Sequence, residues 1–179
     1  MIEKSDRWLA SSLLLLALGI SANSILGPFI SGIVRYPFSN SVRNMTIGLD
    51  AVSLLLVAPI SLLAAGHVYR GQQLGYIAAI SASAYAMYTF VQLILGPQYI
   101  EYSPVVLLHL AIFLLSGVIL VNAWQRIQVN ALPTFNRRKR KTIATVLILL
   151  AIFASLSYLA SIPQIIFGGT IPATYVEDP

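Results

Sequence analysis

Nearly uncharged apolar runs of helical length alternate with short polar segments along most of the chain. The runs cover about residues 8–34, 45–69, 74–95, 104–124 and 142–162. Each is close to the ~20 apolar residues that cross the hydrocarbon core of a bilayer. Because lipid offers no hydrogen bonds to the backbone, such runs are expected to be helices. The pattern therefore predicts an all-α integral membrane protein, a single transmembrane domain built as a bundle of five transmembrane helices.

The composition supports the same class and limits the partners. Of 179 residues, 58% are hydrophobic and only 9% are charged, whereas soluble domains carry about 25% charged residues. Six of the eleven Lys and Arg residues lie between Trp124 and Thr142, which favours anionic lipid headgroups over nucleic acid as the origin of the +5 net charge. The chain has no cysteine, which excludes disulfides and thiol nucleophiles.

The positions of the cations predict an orientation. With five spans, nine of the eleven Lys and Arg residues fall on one face, and only Arg35 and Arg43 fall on the other. Since Lys and Arg accumulate on the cytoplasmic side, we expect a multi-pass protein of the cell (inner) membrane with its N-terminus in the cytoplasm and its C-terminus outside. Five consecutive basic residues are interpreted as a topology determinant that contacts lipid headgroups: Arg137, Arg138, Lys139, Arg140 and Lys141.

Polar residues within the runs concentrate in the halves that this orientation places outside. On the third run, Tyr85, Tyr88 and Gln92 follow a helical stripe. Asn23 lies on a ridge of small residues in the first run, a pattern that lets helices approach closely. Ionisable residues inside a span are candidates for a functional site. We therefore predict an outward-facing polar pocket that binds a ligand and is lined by Asn23, Asp50, Tyr85, Tyr88, Gln92 and His109.

Each candidate also has a structural interpretation. Asp50 can lie in the headgroup region, where the positive end of its helix favours a carboxylate, or it can pair with Arg43, Arg35 or His109. His109 can be a buried, hydrogen-bonded side chain, and the tyrosines of the third run can join neighbouring helices.

The sequence predicts neither a metal nor a cofactor. His67 and His109 lie near opposite faces, roughly 25 Å apart at 1.5 Å per helical residue, which is too far for one haem. A zinc site needs three or four ligands, and Asp50, Glu101 and His109 form only a weak candidate set. The sequence contains no phosphate-binding loop, dinucleotide fingerprint or nucleophile elbow.

One set of motifs resembles an uncharacterised family of bacterial polytopic membrane proteins. Gly48-Leu49-Asp50 is followed by Leu54-Leu55-Leu56-Val57, Pro59 and Arg70-Gly71, and the third run then bears Tyr85 and Tyr88 before Gly96. In such proteins the C-terminal tail leads into one more helix. The resemblance implies either a missing sixth span or a naturally short member. It implies no activity and no catalytic residue.

Two kinds of function follow from these observations. The first is a non-enzymatic membrane protein that binds or senses a small ligand through the polar pocket, or that serves as an accessory subunit of a membrane-protein partner or a homo-oligomer. The alternative is a membrane enzyme or proton-coupled permease that uses Asp50 and His109. A third interpretation is a scaffold, in which the polar stripes only join helices.

Overall fold

The computed structural model describes residues 4–27, 29–32, 40–95, 105–128, 130 and 134–159, without the side chains of 4, 5, 40–43, 154 and 157–159. The predicted roles of Arg35 and Glu101, of the Arg43 side chain, of Gly96 and of the tail after residue 159 lie outside this part of the chain. In what is described, the regular structure is entirely helical, which confirms the predicted all-α class.

Six α-helices and one π-helical segment make up the described structure. In chain order they are α1 (Lys4–Leu26), α2 (Asn40–Val52), the π-helix (Ser53–Val57), α3 (Ala58–Tyr69), α4 (Gln73–Leu95), α5 (Val105–Gln125) and α6 (Arg137–Leu159). Four stretches are long and apolar enough to cross a membrane: Asp6–Leu26, Asn44–Tyr69, Gln73–Leu95 and Val105–Gln125. The first helix ends at Leu26, earlier than the apolar run, because the chain turns after Gly27.

The second spanning stretch contains a proline but remains helical throughout. Pro59 has no backbone N–H, and its ring crowds the preceding turn of an α-helix. The wider π-helix lies directly before it, closed by a hydrogen bond from the Ala58 N–H to the Ser53 carbonyl oxygen. Because a π-turn spreads the carbonyl groups over one extra residue, it accommodates the proline without ending the helix.

The chain divides into two compact units, Met1–Ala131 and Leu132–Pro179. In the first unit, α1 packs against α3, α3 against α4, α4 against α5, and α5 against α1. The unit is thus a closed ring of four helices in up-and-down order. In the second unit, α6 begins where the Asn136 side chain accepts a hydrogen bond from the Lys139 N–H at 2.9 Å, which caps the helix.

Small residues fill most of the buried positions of α3 and α4. Their buried positions are dominated by alanine and serine: Ala58, Ser61, Ala64, Ala65, Ala79, Ala82, Ser83 and Ala86. Ser61 and Ser83 donate their hydroxyl protons to carbonyl groups one turn back in their own helices, at 2.8 and 2.6 Å. The hydroxyls are therefore satisfied without a partner helix, and the two backbones can approach closely.

The large apolar side chains of the ring point in two directions. Leu9, Leu13, Leu16 and Ile20 of α1 fill the interior. Many leucines on the other helix faces point outward, such as Leu15, Leu63 and Leu114, which are 59%, 65% and 56% exposed. The bundle is therefore apolar on its outer surface as well as inside.

A partly buried ion pair and a tyrosine hydroxyl tie three helices together at one end of the ring. The Asp6 Oδ1 atom of α1 accepts hydrogen bonds from the Tyr76 hydroxyl of α4 at 2.9 Å and from Arg126, which follows α5, at 2.5 Å. Because α1 and α4 begin at this end and α5 finishes there, the up-and-down order brings the three side chains together.

The turn between α3 and α4 brings the end of α3 into contact with the start of α4. Gly71 has φ +67°, and the N–H groups of Gly71 and Gln72 bond the carbonyl oxygens of Val68 and His67, which is a Schellman cap. At Gly75, a Cβ atom would lie 2.5 Å from the Val68 nitrogen and 2.8 Å from the His67 carbonyl carbon. The close contact is therefore made by backbone, which has little room to move.

We expect Gly75→Ala to lower the free energy of unfolding by about 1–3 kcal/mol, because the added methyl group pushes α3 and α4 apart. Gly66→Ala is the matched control, since nothing lies within 4 Å of a Cβ at that helical position, and alanine stabilises a helix interior by up to about 1 kcal/mol. Thermal unfolding in lipid nanodiscs measures both. Equal midpoints for the two variants would contradict this account of the contact.

Candidate functional site

A cluster of buried polar side chains lies at the end of the ring opposite the Asp6 ion pair. Asn23 and Ser24 lie in the last turns of α1, Asp50 lies near the end of α2, and His109 lies in the second turn of α5. All four are at most 4% exposed. We call these four residues the polar centre.

Asn23 links the two ionisable members of the centre. Its Oδ1 atom lies 2.8 Å from His109 Nε2, and its Nδ2 atom lies 3.4 Å from Asp50 Oδ1. Since the amide nitrogen is directed at the carboxylate, the amide oxygen is the acceptor of the His109 bond, and Nε2 is the donor. The dipoles of the chain are therefore aligned, with every proton directed from His109 toward Asp50.

The bonding of the centre is incomplete on its Asp50 side. Asp50 Oδ2 and Ser24 Oγ are buried and have no hydrogen-bond partner among the described residues. The Ser24 hydroxyl is near enough to interact with the carboxyl group, but no hydrogen bond closes between them. Buried polar atoms of proteins are nearly always paired, so each exception calls for a reason. Thr89 Oγ1 on α4 is a further unpaired buried atom.

Gly27 provides the space that the Asp50 carboxylate occupies. A Cβ atom on Gly27 would lie 2.6 Å from Asp50 Oδ2 and 3.0 Å from the Asn23 carbonyl oxygen. Only a residue without a side chain therefore fits at this position. The same distances show that the two oxygen atoms converge beside Gly27.

Two aromatic residues of α4 adjoin the centre. The ring of Phe90 lies against the imidazole of His109, with centroids 5.4 Å apart. The Tyr85 hydroxyl lies 3.4 Å from Ser53 Oγ, in the first turn of the π-helix, and 3.4 Å from the Leu49 carbonyl oxygen. Tyr85 therefore links α4 to the segment that carries Asp50.

The remaining two predicted site residues form a separate pair. Gln92 Nε2 donates to the Tyr88 hydroxyl at 3.0 Å, and both side chains are exposed on α4. Of the six residues in the predicted pocket, the structure joins Asn23, Asp50 and His109 directly. Tyr85 on α4 contacts the carbonyl oxygen of Leu49, the residue before Asp50. Tyr88 and Gln92 lie on the surface.

The sequence-based pocket did not include Ser24, Ser53 or the Asp6 ion pair. Ser24 follows Asn23 in the sequence, and Ser53 lies on the helical stripe of Asp50. Their positions alone did not single them out, because the chain contains many serines and most of the buried serines bond their own helix. Asp6 and Arg126 could have been matched from the up-and-down order, which brings the start of α1 beside the end of α5.

The chemistry of the centre is that of a site that accepts hydrogen bonds or positive charge through its oxygen atoms. Among the described residues, no group of three His, Cys, Asp or Glu side chains could hold a metal ion. What the centre offers is one carboxylate oxygen and one hydroxyl without partners, next to an aligned histidine and asparagine.

Comparison of the chain with protein families, with curated proteins and with solved structures gives no match. The resemblance to the bacterial membrane family therefore remains an expectation from the sequence.

We expect Gly27→Ala to lower the free energy of unfolding by about 1–3 kcal/mol through its clash with Asp50. Gly48→Ala, with nothing within 4 Å of its Cβ, is the control. Combining Gly27→Ala with Asp50→Ala removes the clashing oxygen, so the double variant should lose less than the sum of the two single losses. A double-mutant cycle by thermal unfolding measures this coupling, and strict additivity would contradict the assigned role of Gly27.

Proposed function

We propose that this protein is an integral membrane protein that binds a small polar ligand at the polar centre. The observation that carries the proposal is the unpaired Asp50 carboxylate oxygen inside the helix ring. The membrane setting and the ligand are each supported by separate features, and the orientation follows the distribution of Lys and Arg along the sequence.

The outer surface of the ring supports the membrane setting. Four stretches have the length and apolar character of spans. Their outward faces carry large apolar side chains, while hydroxyl, amide and carboxyl groups are buried between the helices. In water, contiguous apolar surface on this scale marks an interaction site or a membrane-facing surface. Lipid is the partner that covers all sides of a four-helix ring.

The incomplete bonding of Asp50 supports a ligand. A buried carboxylate normally receives several hydrogen bonds or a counter-charge. Asp50 receives one bond of 3.4 Å from Asn23. Intramembrane acids are costly and are therefore associated with function. An additional donor supplied by a ligand would complete the site.

The finer topology is part of the proposal. Helix α6 begins with the basic residues Arg137–Lys141 and continues as an apolar segment. The apolar segment serves as a fifth span, and the basic residues contact anionic headgroups on the cytoplasmic side. With the N-terminus also in the cytoplasm, the polar centre lies in the outer half of the bilayer. A membrane-protein partner or a second copy of the chain is compatible with the apolar outer faces.

A second function is favoured by the aligned hydrogen bonds. The bonds through Asn23 hold two ionisable side chains, His109 and Asp50, close to each other in the ring, and ionisable groups inside a span are candidates for proton handling. A proton-coupled permease or a membrane enzyme would use His109 and Asp50 as separate proton-binding groups that Asn23 orients.

The substitution Asp50→Asn separates a ligand site from a scaffold. The amide keeps the acceptor for Asn23 and replaces the unpaired oxygen with a donor that can bond Ser24. We therefore expect the variant to be more stable by about 1–3 kcal/mol, the cost of an unsatisfied buried group. For a chain of this size the thermal midpoint should rise by at least about 3 °C.

Asp6→Asn is the matched control for this measurement. The Asp6 carboxylate is paired with Arg126 and Tyr76, so its neutralisation should lower the midpoint. A loss of stability in Asp50→Asn similar to that in Asp6→Asn would show that Asp50 joins helices, and would contradict the ligand site.

A further inference from the structure

The unpaired atoms of the polar centre define what a ligand must offer. Asp50 Oδ2 can only accept while the carboxyl group is ionised, and Ser24 Oγ has acceptor lone pairs. Both atoms lie on buried residues, Asp50 at 4% and Ser24 at 0% exposure. The Asn23 carbonyl oxygen lies beside Oδ2 next to Gly27 and already accepts the Gly27 N–H at 2.8 Å. A carbonyl oxygen has a second lone pair, so two oxygen atoms with free lone pairs converge beside Gly27, and the Ser24 hydroxyl lies near the same carboxyl group.

The charge of the centre points to a positive ligand. Among the described residues, the ion pair joins Asp6 to Arg126, and it lies at the far end of the ring from Asp50. His109 directs its Nε2 atom to Asn23 rather than to the carboxylate. No described side chain therefore supplies a cation to Asp50, and an uncompensated carboxylate in an apolar bundle is strongly disfavoured.

We propose that Asp50 Oδ2 and Ser24 Oγ bind a small monovalent cation, either an alkali-metal ion or the ammonium head of a primary amine. Both share the chemistry that the centre requires, which is one positive charge presented to two or three oxygen atoms. Alkali-metal ions accept oxygen ligands of this kind, and an ammonium group donates up to three hydrogen bonds to the same atoms. This inference rests on the proposed ligand site and names its occupant.

The polar centre lies close to one end of the ring. Asn23 lies three residues before the end of α1 at Leu26, and His109 lies four residues after the start of α5 at Val105. At 1.5 Å per residue, these depths correspond to roughly 5–6 Å from the helix ends. Because Asp50 Oδ2 is buried and already packed against Gly27, the site suits a small ion better than a bulky one.

Thermal unfolding of the full chain in nanodiscs of uncharged lipid tests the proposal. The midpoint is measured in sodium, potassium, methylammonium and choline chloride at one ionic strength. Choline serves as a cation too bulky for a buried site of this kind. At a cation concentration about five times the dissociation constant, linkage predicts a rise of about 3 °C over choline. A rise with sodium or potassium identifies an alkali-metal ion, and a rise with methylammonium alone identifies an amine.

Three variants test whether a rise in the thermal midpoint comes from binding at the polar centre. Asp50→Asn should abolish it, and Ser24→Ala should reduce it several-fold. Neither variant is expected to unfold the protein, because each removes an unpaired atom. Ser83→Ala is the control, since its buried hydroxyl bonds its own helix, and it should keep the full rise.

The possible failures point to different errors. Equal midpoints in all four salts, or a rise that persists in Asp50→Asn, overturn the cation site. A full rise in Ser24→Ala overturns the oxygen pair as its location. If Asp50→Asn is stabilised but no cation acts, a ligand site remains and only its occupant is wrong. If Asp50→Asn is less stable than the wild type in choline chloride, the ligand site itself is overturned.

Discussion

The polar groups between the helices have to find their partners within the bundle, and this constraint accounts for the interior of the ring. Ser61, Ser83 and Ser116 meet it by bonding carbonyl groups of their own helices. Asp6 meets it with two donors from two other helices. Asp50 does not meet it, because one of its oxygen atoms is unpaired. Two buried carboxylates at opposite ends of one ring thus differ: Asp6 is paired with two side chains, and Asp50 keeps one unpaired oxygen atom.

The π-helix links the local sequence to the polar centre. It absorbs Pro59 without ending the helix, and its first residue, Ser53, is the one that Tyr85 contacts. The position of Asp50 is therefore fixed from both sides, by α1 through Asn23 and by α4 through the contacts of Tyr85 with Ser53 and with the carbonyl oxygen of Leu49. π-Turns inside α-helices often accompany functional sites, since they reorient side chains at little cost in backbone hydrogen bonds.

The sequence predicted the helical class and three of the four residues of the polar centre, for reasons that also explain what it missed. Hydrophobic runs define the spans directly. The positions of Asn23, Asp50 and His109 within their runs then place all three at about the same depth. The rotation of α4 was not predictable in the same way, because a helix that is apolar on all sides has no periodicity to mark its inward face. Its buried positions include Ala82, Ala86 and Phe90, so Tyr88 and Gln92 fall on the outer surface. The pairing state of individual oxygen atoms depends on distances of tenths of an ångström, which no pattern encodes.

The membrane setting of the ring is tested most directly by spin labels on single cysteines, which the chain accommodates because it has none of its own. Leu15→Cys, Leu63→Cys and Leu114→Cys place a label on the outer face, and Leu16→Cys and Ala64→Cys are interior controls. Power saturation compares collisions with oxygen, which dissolves in lipid, and with a nickel chelate, which stays in water. The account predicts high oxygen and low nickel accessibility at the three outer sites, with both low inside. Outer labels that collide freely with the nickel chelate would contradict it.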